Sequence, residues 1–280
     1  SLISAYQVML PKALKAKNKV DIKIKEDRYL VLDEDINEIK EYIDKCKYPK
    51  QIDLLNKLIK DKKIKIDKIE SSINTLLNHG LVKFIYEESF RYNVKSNHQY
   101  KKVELTKEQK SVVDSVKLNE SNTYLLYGVT GSGKTEVYMN IIDKVLREGK
   151  TAIMLVPEIS LTPQIVDRFL FHFKENIAIL HSGLSDTEKY DEYRKILSGK
   201  TNIVIGARSA IFAPLKNLGV IIIDEEHTST YKQDNHPRYH ARDVAIERSK
   251  YHNCPLVLGS ATPSMESMAR SANGVYKLLT

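Results

Sequence analysis

No segment constrains this chain more than Gly128-Val129-Thr130-Gly131-Ser132-Gly133-Lys134-Thr135. It fits the pattern G-x-x-x-x-G-K-[ST], follows the apolar run Tyr124-Leu125-Leu126-Tyr127, and opens a stretch with Val137, Ile141, Ile142 and Val145 at helical spacing. Strand, glycine-rich loop and helix in that order are what a phosphate cradle requires. Backbone N–H groups from Gly128 through Gly133, including those of Thr130, Gly131 and Ser132, can close around a β-phosphate, and the helix N-terminus adds a favourable dipole. Lys134 is expected to neutralise the β- and γ-phosphates, and the Thr135 hydroxyl to ligate Mg²⁺. The expected ligands are therefore ATP and Mg²⁺.

Around this loop, apolar and often β-branched runs alternate with helical stretches: residues 123–127, 151–156, 177–180, 202–205, 220–223 and 256–258. They scarcely alternate in polarity, as strands buried on both faces of a parallel sheet do, so an α/β fold with helices on both sides is expected. Val220-Ile221-Ile222-Ile223-Asp224-Glu225 ends one such strand in carboxylates. Asp224 is expected to hold Mg²⁺ through water and Glu225 to polarise the attacking water. Gly259-Ser260-Ala261-Thr262 follows another strand; Ser260, Ala261 and Thr262 suit a segment that senses the γ-phosphate, or simply a turn capped by Ser264. Thr106 reads as a helix N-cap, with Gln109 in the capping-box position. Residues 228–243 interleave Tyr231, Lys232, Arg238, Tyr239, His240 and Arg242 without an apolar core pattern, which suits stacking on bases and pairing with phosphates. His236 and His240 have no cysteine or repeated carboxylate beside them, which argues against a metal site there.

Before residue 100 the pattern differs. Three amphipathic helices are expected at residues 36–43, 51–59 and 69–77, the last stopped at His79-Gly80, and residues 81–91 read as a strand pair. Helices followed by a small hairpin resemble a winged-helix module, with residues 71–78 in the recognition-helix position; such modules either contact DNA or act as spacers. The basic run at residues 60–65 reads as a solvated turn. The net charge of +8 favours a polyanionic partner, and the surplus is concentrated early: 22 Lys and Arg against 16 Asp and Glu up to Leu105, then 22 against 20. Cys46 and Cys254, far apart and without CxxC neighbours, are expected to be buried thiols. No apolar run approaches the length of a membrane span, so no membrane association is expected. The chain opens at Ser1 without Met or leader and reads as a piece of a longer cytoplasmic protein.

Taken together, residues 128–138, 155–164, 180–185, 205–214, 224–227 and 259–264 closely resemble the corresponding motifs of the bacterial replication-restart helicases of superfamily 2, the primosomal protein N′ family. The resemblance runs through most of residues 105–280. It implies a RecA-like phosphate-loop lobe with a central parallel sheet at residues 105–280, preceded by a small α+β winged-helix domain at 20–95 and a linker at 96–104, with residues 1–19 the tail of a 3′-DNA-end-binding domain. It further implies an ATP-driven 3′-to-5′ DNA helicase of the bacterial cytoplasm and nucleoid, acting on single-stranded and forked DNA with single-stranded-DNA-binding protein and other primosome proteins. Gln109 would recognise adenine, while Pro157, Glu158, Arg208 and Ser209 would contact the single-strand backbone and residues 231–242 would couple DNA to ATP. Ala207 stands where some relatives have Thr, so a hydroxyl contact to phosphate is not expected from that position. A second motor lobe with an arginine finger, and a zinc insertion, would lie beyond Thr280, so this chain is expected to bind nucleotide weakly and not to unwind DNA. Two other classes compete: a DNA- or protein-docking scaffold without turnover, and a phosphate-loop kinase or transferase. The latter needs an acceptor pocket and lid for which the sequence offers no segment.

Overall fold

The computed structural model describes residue 6 and residues 8–15, 24–91, 103–174 and 176–280. The chain divides into two units, Lys23–Arg91, and Ser1–Ile22 together with Tyr92–Thr280. Residues 96–102 of the expected linker, residues 1–5, 7 and 16–19 of the expected tail, and residues 20–23 and 92–95 of the expected winged-helix domain lie outside the described residues.

In the smaller unit, β1 (Glu26–Leu32), α1 (Ile36–Lys45), α2 (Pro49–Asp61), β2 (Lys63–Lys65), α3 (Ser71–Asn78) and β3 (Val82–Glu88) follow in order, and the antiparallel sheet runs β2-β1-β3. Proline is tolerated at the first position of α2 because its missing N–H has no helical acceptor there. Ile39, Leu55, Leu58, Ile73 and Leu76 turn the apolar stripes of the three helices onto Leu30 and Val82 of the sheet. Gly80, at φ +70°, ends α3: Leu81 N–H donates to Leu76 O and Gly80 N–H to Leu77 O, the paired bonds of a left-handed C-terminal cap.

Three expectations need correction. Residues 81–91 are not a strand pair, because β3 pairs with β1, where Leu30 faces Phe84 and Leu32 faces Val82. A strand whose partner lies fifty residues away leaves no turn signal in the sequence, and the opening Glu-Asp-Arg of β1 hides its alternation. Nor is the basic run only a turn: Ile64 packs against the core, while Lys63 and Lys65 pair with Glu87 and Asp27, each at 2.6 Å. Charged side chains on such an edge also discourage further strand addition. Cys46 is half-buried, with Sγ 3.4 Å from Gln51 Oε1; Cys254 is buried as expected.

The larger unit carries α4 (Lys107–Ser115), β4 (Thr123–Tyr127), α5 (Lys134–Arg147), β5 (Thr151–Leu155), α6 (Pro163–Phe173), β6 (Ile177–Leu180), α7 (Asp186–Leu197), β7 (Ile203–Gly206), β8 (Leu218–Ile223), the two-residue strands β9 (Lys232–Gln233) and β10 (Tyr239–His240), α8 (Ala241–His252), β11 (Leu256–Ser260), α9 (Met265–Ala272) and β12 (Lys277–Leu279). Seven strands form one sheet in the order β12-β4-β11-β8-β5-β7-β6, and every pairing is parallel. Alternate residues feed two cores. Ala152, Met154, Val220 and Ile222 pack with α5 and α6 on one face, and Ile153, Leu155, Ile221 and Ile223 pack with Ala241 and Ala245 of α8 on the other. Both faces are covered, which explains the unbroken apolar runs in the sequence. Strand β12, beside β4, was not foreseen; three residues give too short a pattern.

Glu192 of α7 is buried within this lobe, accepting the Ile179 N–H at 2.8 Å with Lys195 Nζ 3.9 Å away. Burial raises its carboxyl to about 7, against the opposing pull of Lys195. Because the folded value exceeds the unfolded one, this group's stabilisation is complete below about pH 4.5 and is lost as pH rises through about 7. Glu192→Gln, which keeps the acceptor and cannot ionise, is expected to match the wild type at pH 5 and to be more stable at pH 8, on the order of 2 kcal/mol, as read by urea denaturation at both pH values. Parallel pH profiles for the two proteins would contradict this.

Candidate nucleotide and DNA site

All the segments with phosphate-binding or acidic chemistry meet at the carboxyl end of the parallel sheet, where open α/β folds take their ligands. Strand β4 delivers the loop 128–135, its neighbour β11 delivers residues 259–262, and the next strand β8 delivers Asp224 to His227. Sheet order thus makes the 259–262 segment the bridge between the loop and the carboxylates. Gly128 N–H donates to Ser260 O at 3.2 Å, and Glu226 N–H donates to Gly259 O at 3.0 Å.

Gly131 and Gly133 take φ of +82° and +84°, which glycine adopts without steric cost. Gly133 is the N-cap of α5, and a Cβ there would overlap Gln109 Nε2. At the start of α5 the Glu136 N–H donates to Gly133 O at 2.9 Å, and in the loop the Ser132 N–H, expected at the phosphates, donates to Val129 O at 3.1 Å; the N–H groups of Lys134 and Thr135 have no carbonyl one turn earlier in the helix and face the loop as anion donors. Lys134 Nζ reaches Gly128 O at 2.7 Å and Val129 O at 3.3 Å, setting a cation at the loop's centre, and Thr135 is the second residue of the helix. Glycine geometry, open N–H groups and a central ammonium fit a polyphosphate. Gln109 completes a capping box with Thr106, accepting its N–H at 3.0 Å, and its own Nε2 donates to Ser132 O at 2.8 Å. One amide N–H and one lone pair remain on Gln109 to read a base edge.

Asp224 is fixed at three atoms. Its N–H donates to Leu155 O at 2.9 Å, its O accepts from the Tyr231 hydroxyl at 2.6 Å, and its Oδ1 accepts from the Tyr138 hydroxyl at 2.9 Å. Burial pushes the Asp224 carboxyl above its usual range, partly offset by the Tyr138 hydrogen bond; burial and the Asp224 charge hold the Tyr138 phenol well above its own, so it stays a donor. Glu225 takes φ +48° and its Oε2 lies 3.6 Å from His227 Nδ1. That same imidazole nitrogen is 2.8 Å from Ser260 Oγ, which also accepts the Thr262 N–H at 3.0 Å, while His227 Nε2 lies 3.5 Å from Thr262 Oγ1. Ala261 sits between these hydroxyls, half-buried. Glu226 is buried and accepts from Ser264 N–H at 2.8 Å and Ser267 Oγ at 2.9 Å, with Arg242 at 3.5 Å.

The aromatic-rich stretch is partly corrected. Tyr231 is 1% exposed, its ring in the core, and Arg242 is 8% exposed, held by Glu226 and by Glu266 at 2.7 Å. Neither presents its side chain to solvent as expected, because the Tyr231 hydroxyl is held by the Asp224 carbonyl and Arg242 lies against the buried Glu226. Lys232 and Arg238 are exposed on the β9–β10 hairpin. Tyr239 is half-buried edge-on to Phe212 at 5.0 Å with the Arg208 guanidinium 5.8 Å from its ring, and His240 caps α8 by accepting the Arg242 N–H at 3.1 Å. Arg208 also donates to Thr230 O and Lys232 O, which ties it to this hairpin. Ser209 and Glu158 are exposed, and Pro157 is buried; Glu158 Oε1 accepts the Ser182 N–H at 2.9 Å, and the Ser182 hydroxyl first, with that N–H after it, holds the carboxyl below its usual range. No role was assigned to Tyr138, Glu226 or His227, which entered only as members of the 128–138 and 224–227 motifs, and Ser267 was not singled out at all. The sole sequence signal for Tyr138 is its place four residues after Lys134, one turn along the same helix face.

A phosphate loop and an acidic strand end on one parallel sheet define an α/β lobe of the helicase type, and the chain belongs to the DEAD/DEAH box helicase family, whose model matches residues 106–271. Within it the chain is similar to replication restart proteins. It is 54% identical to Replication restart protein PriA of Bacillus subtilis (strain 168) over 222 residues, 77% of this chain and 28% of that protein. It is 39% identical to PriA of Chlamydia muridarum over 271 residues, 91% of this chain and 36% of that protein. The chain thus spans about a quarter to a third of the length of the curated relatives it matches. Among solved structures it is similar to the UvsW helicase from bacteriophage T4, with TM-score 0.46 and 13% identity over 91% of this chain and 97% of that one.

Proposed function

We propose that this chain is the ATP-binding lobe, with a preceding winged-helix domain and an intervening linker, of an ATP-dependent 3′-to-5′ DNA helicase of replication restart. The carrying observation is the continuous set of contacts from the phosphate loop through Ser260 and His227 to the carboxylates, and from Asp224 through Tyr231 to the exposed hairpin. In this assignment Lys134 and the loop N–H groups hold the phosphates, Gln109 reads adenine, Thr135 and Asp224 hold Mg²⁺, the latter through water, and Glu225 polarises the attacking water. Bound Mg²⁺ supplies neutralisation of the β- and γ-phosphate charge. Ser260 and Thr262 sense the γ-phosphate through His227, and a shift of Asp224 moves Tyr231 and with it the hairpin. Arg208, Ser209, Lys232 and Arg238 supply donors and cations for a single-strand backbone, with Tyr239 and His240 behind them.

The chain spans about a quarter to a third of the curated relatives it matches, so 3′-to-5′ unwinding is proposed of the whole protein and nucleotide binding of this lobe. Forked DNA, single-stranded-DNA-binding protein and primosome proteins are the proposed partners, in the bacterial cytoplasm at the nucleoid. The reading is tested by the affinity of the chain for a fluorescent single-stranded oligonucleotide, measured with and without ATP and Mg²⁺. An affinity that changes about 5-fold or more with ATP is expected for coupled sites. Binding indifferent to ATP, as a passive docking scaffold would give, overturns it.

A further inference from the structure

We infer that Tyr138 is a positioning residue for the metal-holding carboxylate: its phenol hydroxyl pins Asp224 through Oδ1, leaves Oδ2 for metal-bound water, and so sets how tightly the chain takes up a divalent cation with its nucleotide. The inference rests on the ATP-site assignment above. Tyr138 is fully buried among apolar side chains of α5 and the sheet, where phenylalanine would fill the same space. Its hydroxyl therefore needs a reason, and the contact it makes is with Asp224 at 2.9 Å. The neighbouring strand is built around that hydroxyl. Gly259 interrupts the apolar run of β11, and a Cβ there would overlap the Tyr138 Oη. Glycine inside a strand marks a close approach, and here what approaches is the group that orients the carboxylate.

One rigid helix thereby delivers both Lys134 and, one turn later, Tyr138, so the ammonium at the phosphates and the phenol at the carboxylate are held in fixed register. With the backbone of Asp224 already tied to Leu155 and Tyr231, the phenol removes the remaining side-chain rotation. A carboxylate held in one rotamer needs no reorganisation when a hydrated cation arrives.

The test uses Mn²⁺ as a spectroscopic probe, titrated by electron paramagnetic resonance into the ADP-loaded chain, beside ADP affinity in EDTA and the thermal midpoint. Tyr138→Phe, which removes only the hydroxyl, is expected to weaken Mn²⁺ binding about tenfold, as loss of one charge-assisted hydrogen bond would. Its ADP affinity in EDTA should stay close to wild type, and its thermal midpoint should fall by only the few degrees that one lost hydrogen bond costs. Gly259→Ala, displacing the hydroxyl from outside, is expected to weaken Mn²⁺ in the same direction. Normal ADP binding with unchanged Mn²⁺ affinity in Tyr138→Phe would overturn the positioning role alone. Failure of the wild-type chain to bind ADP at all would overturn the ATP-site assignment, and the positioning role with it.

Discussion

Replacing Glu226 by alanine is expected to destabilise the lobe by about 3–5 kcal/mol, the usual cost of removing one partner of a buried ion pair. Glu226 is 3% exposed and gathers four groups from two distant segments: the Ser264 N–H and hydroxyl, the Ser267 hydroxyl and the Arg242 guanidinium. Its loss would leave Arg242, itself 8% exposed, with Glu266, which lies on the surface, and a long 3.5 Å contact to Ser267 Oγ, and would leave the Ser264 N–H at the start of α9 without its acceptor. Glu226→Gln keeps the shape and one acceptor oxygen but turns an amide toward donors, so an intermediate loss is expected. Urea denaturation resolves the effect best if followed by probes in both units. The transition of the larger unit should move and that of Lys23–Arg91 should not, since all the partners of Glu226 lie in the larger unit. A loss below 1 kcal/mol would mean that solvent enters this cluster on mutation.

The second large effect falls on binding. Lys134→Ala is expected to weaken Mg²⁺·ATP binding by at least about 100-fold, near 3 kcal/mol, because one ammonium is asked to make two charge-assisted contacts to phosphate. The fold should survive. Lys134 is half-exposed, its partners Gly128 O and Val129 O remain within reach of water, and alanine suits the first turn of a helix. Isothermal calorimetry on both proteins checks the first part and a thermal melt the second. Binding that falls less than about fivefold would remove Lys134 from the phosphate site.

What the sequence revealed and what it hid divide along a physical line. The phosphate loop was legible because its chemistry is contiguous: glycines, lysine and threonine must be neighbours for one loop to wrap one phosphate group. The central strands were legible because burial on both faces writes an unbroken apolar run, as in Leu218–Ile223. Pairings between distant segments were not. Strand β1 has no local turn to announce β3, and the Glu226–Arg242 ion pair joins residues that each read as solvent-facing. Tyr231 reads as one more aromatic in a polar loop, yet its ring fills the core beneath Asp224 and its hydroxyl reaches that residue's carbonyl. Tyr138 reads as an apolar helix position, and only sheet order brings Asp224 to its hydroxyl. For β3 and Tyr138 the missing information was which strand lies beside which, and for Tyr231 and Glu226 how the segment after β8 folds back on itself; neither is a property of a short stretch of chain.

The central claim is that one edge of this sheet joins an ATP site to a DNA-contacting hairpin through Asp224 and Tyr231. Calorimetric titration of Mg²⁺·ATP into the chain, with and without a saturating single-stranded oligonucleotide, tests it most directly. Linkage requires DNA to change ATP affinity by the same factor as ATP changes DNA affinity, about 5-fold or more. Tyr231→Phe, which removes only the hydroxyl, should shrink that factor toward one while ATP binding persists. Equal ATP affinity with and without DNA in the wild-type chain would contradict the claim.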